Sequence, residues 1–125
     1  MERTVIINGQ EVRMRASALI PRLYRFKFGR DIVNDLRQLQ KSYSEVVKDQ
    51  MSEEEKKDAQ LSVTDLTIFE NVAWLMCKHA DNSIPDSPDE WLDSINGVFS
   101  IYEVLPQILE LWTDGLATTS TAQKK

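Results

Sequence analysis

The chain is poor in the residues that most often carry out chemistry. Its 125 residues include one cysteine, Cys77, and one histidine, His79. A lone cysteine excludes an internal disulfide framework and suits a reducing compartment. Two positions apart on a helix, Cys77 and His79 point in different directions, and no further Cys or His exists to complete a zinc site. Cys77 reads as a buried structural thiol, and His79 as a complement to the dipole of its helix. The four glycines are isolated, which excludes a Walker-type loop, a Gly-x-Gly-x-x-Gly turn and a Gly-x-Ser-x-Gly elbow. No apolar run approaches the ~18–20 residues of a membrane span. Met1-Glu2-Arg3-Thr4 leads into an alternating segment rather than a secretory core, so no signal peptide is expected. The carboxylates Asp81, Asp86, Asp89, Glu90 and Asp93 lack the order of a calcium loop, and helix capping accounts for several of them. The expectation is therefore a protein with no catalytic residue, no metal and no cofactor.

What remains is an ordinary globular composition, 42% hydrophobic and 28% charged, of a length that fits one domain. The net charge of −5 conceals a split. Residues 1–48 hold ten Lys/Arg against five Asp/Glu, and residues 49–125 hold five against fifteen. Between Arg13 and Arg30, the six cations Arg13, Arg15, Arg22, Arg25, Lys27 and Arg30 meet no acid. Such polarity steers an acidic partner, or lets copies associate head to tail, or is neutralised between the two halves of one fold.

The clearest local signal is Val5-Ile6-Ile7-Asn8-Gly9-Gln10-Glu11-Val12-Arg13-Met14. Asn-Gly takes the positive φ of a type I′ turn, and Val12 and Met14 alternate with charged residues. A hairpin over 4–15 follows. Ser17 is placed to cap a helix over about 17–28, with Pro21 in its first turn and Gly29 as its stop. In that helix Leu23 and Phe26 are expected to face inward, with Arg22, Arg25 and Lys27 on the rim. Ile32, Val33, Leu36, Leu39, Tyr43 and Val46 recur at helical spacing, giving a second helix over about 30–49. Residues 50–60 are rich in charge of both signs and read as an exposed loop or frayed helix. A largely buried helix is expected over 63–80. Ser87-Pro88-Asp89-Glu90 starts a short helix over 87–96, and Ser100-Ile101-Tyr102-Glu103 starts another over 100–113. Pro106 lies too deep for a first turn, which predicts a kink or break. After Gly115, residues 116–125 read as a disordered polar tail. The fold class is mainly α: an N-terminal hairpin and a compact bundle of four to five helices, forming a single domain over 1–115.

Arg22-Leu23-Tyr24-Arg25-Phe26-Lys27-Phe28-Gly29-Arg30 interleaves basic and aromatic residues, which opens an alternative reading as a small regulatory or nucleic-acid-binding module. The acidic remainder and a pI near 4.9 speak against it.

Several segments also resemble, in order and spacing, one known family. They are Val5-Ile6-Ile7-Asn8-Gly9, Arg15-Ala16-Ser17-Ala18-Leu19-Ile20-Pro21-Arg22-Leu23-Tyr24-Arg25, Phe28-Gly29-Arg30-Asp31-Ile32, Phe69-Glu70-Asn71-Val72-Ala73-Trp74, Lys78-His79-Ala80-Asp81, Asp89-Glu90-Trp91-Leu92-Asp93 and Ile101-Tyr102-Glu103-Val104-Leu105-Pro106. From about Thr4 to Trp112 the chain resembles the tail assembly chaperones of long, non-contractile-tailed phages and prophages of Gram-positive bacteria. The resemblance implies a non-enzymatic protein of the host cytoplasm, absent from the mature virion. Such a protein keeps the apolar, helical tape-measure protein soluble and extended and helps recruit tail-tube subunits. It also implies a C-terminally extended form made by ribosomal frameshifting, for which Gln123-Lys124-Lys125 would suit a slippery lysine run. A holdase of this kind needs an apolar helical groove. The candidate lining is Leu19, Leu23, Tyr24, Phe26 and Phe28 with Leu105, Leu109 and Trp112, all of types that more often serve a core than a groove.

Overall fold

The computed structural model of the chain describes residues 2–47, 61–95, 97 and 99–124, the side chains of 47 and 114–124 excepted. Among the described residues, two strands, β1 (Glu2–Ile7) and β2 (Gln10–Arg15), precede five helices: α1 (Ile20–Phe28), α2 (Ile32–Val47), α3 (Val63–Ala80), α4 (Pro88–Ser94) and α5 (Ile101–Lys124). The mainly α class with an N-terminal antiparallel hairpin is as the sequence led one to expect. The loop assigned to 50–60 lies outside the described residues.

The hairpin turns at Asn8 (φ 54°) and Gly9 (φ 77°), the paired positive φ values of a type I′ turn. Register pairs Ile7 with Gln10 and Val5 with Val12. Val5, Ile7 and Met14 are buried on one face, while Thr4, Ile6, Glu11 and Arg13 are exposed on the other. A two-stranded ribbon is marginal alone, so this apolar face requires a helical floor. It finds one in α3, which packs along β2, and in α5, which runs beside β1.

α5 also satisfies the free edge of β1. Gln107 Oε1 accepts the Ile6 N–H at 3.1 Å and its Nε2 donates to the Ile6 carbonyl at 3.2 Å. Glu103 Oε1 accepts the Asn8 N–H at 2.9 Å, and Glu110 pairs with Arg3 at 2.8 Å. Residues 103, 107 and 110 share one helical face, so the helix lies along the strand like a surrogate neighbour. An exposed strand edge is an aggregation hazard, and these side chains cover it at its turn end, at Ile6 and Asn8.

α3 is the hub, contacting β2, α1, α2, α4 and α5. Residues 72–77 along it are all buried. Its start is a capping box missed in the sequence: Ser62 Oγ accepts the Asp65 N–H at 3.0 Å and Asp65 Oδ2 accepts the Ser62 N–H at 3.4 Å. The Ser87-Pro88 start of α4 forms as expected, with Ser87 Oγ accepting the Glu90 N–H at 3.2 Å.

Four local expectations need correction. α1 begins at Ile20, not Ala18, because the Ser17 hydroxyl, while accepting the Leu19 N–H at 3.3 Å, lies 2.9 Å from His79 Nε2 at the end of α3. Of the kink or break expected at Pro106, the break does not occur, and the helix continues from Ile101 past it. Pro106 supplies no N–H to the carbonyl four residues back, and Gln107 Nε2 gives the adjacent Glu103 carbonyl a donor at 2.9 Å. Glu103 itself turns to the hairpin instead of closing a capping box at Ser100. Finally, the backbone stays helical through Gly115 to Lys124, where the sequence suggested a helix end near 113 and a disordered tail over 116–125. A single mid-helix glycine costs only about 1 kcal/mol, too little to force a stop without a left-handed cap.

Candidate functional site

α1 is where the sequence and the structure differ most usefully. Its inward stripe is Ile20, Tyr24 and Phe28, at intervals of four residues. Ile20 and Tyr24 are fully buried. The Phe28 ring lies 5.0 Å from that of Tyr24 and 6.0 Å from that of Trp74 on α3, edge-on to the indole. The Tyr24 hydroxyl donates to Asp35 Oδ2 at 2.8 Å. Arg30 grips the same carboxylate with Nε at 2.8 Å and its second nitrogen at 2.9 Å. Burial, and next the hydrogen bond to Asp35, push the Tyr24 phenol well above its ordinary range. Burial alone would raise the Asp35 carboxyl, but hydrogen bonds from Arg30 and Tyr24 and the Arg30 charge together outweigh it and hold it below its usual value. This network ties α1 to α2 across the left-handed Gly29 (φ 68°).

With those residues inside, Leu19, Leu23 and Phe26 fall on another flank at spacings of four and three residues. Phe26, expected to face inward, is 91% exposed. Leu19 is 47% exposed and Leu23 is half-buried against the core. Arg22 and Arg25 are exposed beside them. The Lys27 ammonium lies 5.5 Å from the centre of the Trp74 ring, on the opposite border.

The eight residues suggested as a client-binding lining therefore divide. Tyr24 and Leu105 are fully buried and belong to the core, which is a correction. Phe28, Leu109 and Trp112 are partly buried and pack against that core. Leu19, Leu23 and Phe26 form the accessible stripe. Its α1 and α5 members sit on helices that each pack against α3. No signal in the sequence separates the two stripes of α1, whose partners lie on α2 and α3.

The candidate chemistry is sparse. Burial, then Asp81, push the Cys77 thiol up to about 12, so the thiolate needed of a nucleophile is strongly disfavoured. Burial and next the Arg15 charge hold His79 below its ordinary value, so near neutrality it is an uncharged partner for the Ser17 hydroxyl rather than a cation on the helix dipole. Lys78 organises the loop after α3, donating to the carbonyls of Asn82 (2.8 Å) and Ile84 (2.7 Å) and pairing with Asp86 at 2.9 Å. Trp74 Nε1 donates to the Pro85 carbonyl at 2.8 Å, closing that loop over the helix. Asp86 is thereby engaged with Lys78, and Asp89 and Glu90 sit in the first turn of α4.

Among the described residues no group of three or more His, Cys, Asp or Glu is arranged to hold a metal ion. No described helix is long and apolar enough to cross a membrane. Comparison with protein-family models, with curated proteins and with solved structures finds no match for the chain.

Proposed function

We propose that this chain is a tail assembly chaperone of the kind its sequence resembles, a protein that holds apolar helical segments of a tape-measure protein before the tail tube closes around them. The observation that carries the reading is the second apolar stripe of α1. A well-formed helix holds the Phe26 ring almost wholly in water, with the exposed N-cap residue Leu19 and the half-buried Leu23 on the same flank. Scattered exposed leucines are commonplace, but a large aromatic held out on an ordered helix beside two further apolar residues is the pattern of a helix-recognition surface. A single stripe of three residues gives a weak contact, which suits a holdase that acts through many copies on one long client.

On this reading the chain works in the host cytoplasm as a binding protein without a cofactor. Tail-tube subunits are recruited through a C-terminally extended form, continuous with the α5 backbone that runs to Lys124. The test is co-expression with the cognate tape-measure protein. The soluble fraction of the client rises with chaperone dose, the two proteins co-purify, and Phe26→Ser abolishes both effects. Tape-measure solubility that stays constant across all stoichiometries would overturn the proposal.

A further inference from the structure

The border of the α1 stripe carries information about what it binds. Arg22 and Arg25 stand exposed along one side of Leu19, Leu23 and Phe26, and Lys27 along the other. No acid occurs in the sequence between Arg13 and Arg30, although the Asp86 carboxylate lies close enough to feel the Lys27 charge, which makes Arg22 and Arg25 the stronger shoulder. Arg30, the nearest cation in sequence to α2, is already committed to Asp35 and adds little to this border. The surface is thus an apolar ridge with cationic shoulders on both sides.

Such a ridge selects by charge as well as by fit. An apolar helix bordered by lysines would set like charges against Arg22, Arg25 and Lys27, whereas one bordered by carboxylates would pair with them. Single-stranded nucleic acid is the other anionic class that meets exposed aromatics. It is bound by successive stacking rings along a cationic groove. Here Tyr24 is fully buried and Phe28 is engaged with Tyr24 and Trp74, which leaves Phe26 as the one ring on α1 free to stack.

We infer that the outer flank of α1 docks an amphipathic helix whose apolar stripe is bordered by Asp and Glu. The inference rests on the reading of that flank as a client-binding surface, and it names the client's chemistry. Leu19, Leu23 and Phe26 supply the contact area; Arg22, Arg25 and Lys27 set orientation and reject basic helices.

The experiment uses the full chain and three synthetic helical peptides with one shared apolar face and flanks of glutamate, glutamine or lysine, titrated by fluorescence anisotropy. The glutamate peptide binds roughly tenfold more tightly than the glutamine peptide, as two or three exposed charge pairs allow. The lysine peptide binds weakest, and the differences shrink as salt is raised. Phe26→Ser abolishes binding of the glutamate peptide with the circular dichroism melt unchanged. The pair Arg22→Glu and Arg25→Glu reverses the preference toward the lysine peptide, a result that loss of folding could not produce. Equal binding of all three peptides overturns the inference, as does glutamate-peptide binding that survives Phe26→Ser. Retardation of single-stranded RNA that Phe26→Ser abolishes would assign the ridge to nucleic acid instead. A concentration-dependent dimer broken by the same substitution would assign it to a second copy of the chain. Loss of flank discrimination while Phe26 is still required for tape-measure solubility sinks the acidic-client inference and leaves the chaperone reading standing. Retained discrimination with tape-measure solubility indifferent to the protein does the reverse.

Discussion

Along α1, Ile20, Tyr24 and Phe28 on one side and Leu19, Leu23 and Phe26 on another form two apolar stripes of similar size and hydrophobicity. The first is packed beneath α2 and α3, and the second faces water along much of its length. What separates them is the set of long-range partners. The Tyr24 hydroxyl finds the Asp35 carboxylate 11 residues away, already gripped by Arg30, and Phe28 finds the Trp74 ring. Among the described residues no comparable partner waits for Phe26. A buried tyrosine whose hydroxyl has a charged acceptor gains both burial and a charge-assisted hydrogen bond, so the rotation of α1 about its axis is set by Tyr24. Leu19, Leu23 and Phe26 are left over once that rotation is chosen.

The largest test of this comparison is truncation on each side. Tyr24→Ala removes a fully buried ring and is expected to cost about 3–5 kcal/mol, while Phe26→Ala stays within about 0.5 kcal/mol of the wild type. Urea denaturation with a common slope measures both. Equal losses would mean that the two stripes are not inside and outside as described.

How far this could have been read from the sequence differs by element. The hairpin was legible because Asn8-Gly9 is a local solution to a local problem, and both residues take the positive φ that the dipeptide favours. Gly29 and Ser87 were legible for the same reason. The rotation of α1 was not, because positions 19, 20, 23, 24, 26 and 28 are all apolar and more than one set of them satisfies a helical spacing. The choice is made by Asp35 and Trp74, whose positions no local rule supplies. Ser17 shows the same limit. Its side chain fits an N-cap by sequence, and the partner that draws it away, His79, lies 62 residues on. Gln107, 101 residues from the Ile6 backbone it pairs with, left no trace in any local pattern.

Acid should weaken the inner side selectively. Against burial, hydrogen bonds from Arg30 and Tyr24 hold the Asp35 carboxyl below its ordinary value in the folded chain, so its contribution is fully present above the unfolded carboxyl range and is lost as pH falls through the folded value. The wild type is therefore expected to lose stability steeply once the pH drops below about 4. Asp35→Asn should be less stable at neutral pH and flatter over that window. Parallel pH profiles for the two proteins would remove Asp35 from the account of why α1 sits as it does.

A smaller effect comes from the joint between α1 and α2. Gly29 holds φ 68°, and a β-carbon there would meet no atom within 4 Å. The cost of Gly29→Ala is thus backbone strain alone, about 1 kcal/mol, with peptide binding by the outer stripe retained. A loss several times larger would reveal a steric demand at the turn that the open space around Gly29 does not show.

The smallest expected change in stability is the most telling about function. Phe26→Ser replaces a ring that is 91% exposed, so the folded state loses little contact area. The exchange should shift the urea midpoint by no more than about 0.5 kcal/mol in stability terms, in either direction. An exposed ring also tends to promote unwanted association, so the variant should be at least as soluble as the wild type. A ring that folding does not need and solubility disfavours is a natural candidate for a binding contact. If Phe26→Ser proved strongly destabilising, the ring would be part of the core and the two stripes of α1 would collapse into one. If it left both stability and client binding untouched, the outer stripe would be an inert surface, and the search for the contact would move to the partly buried Leu109 and Trp112 on α5.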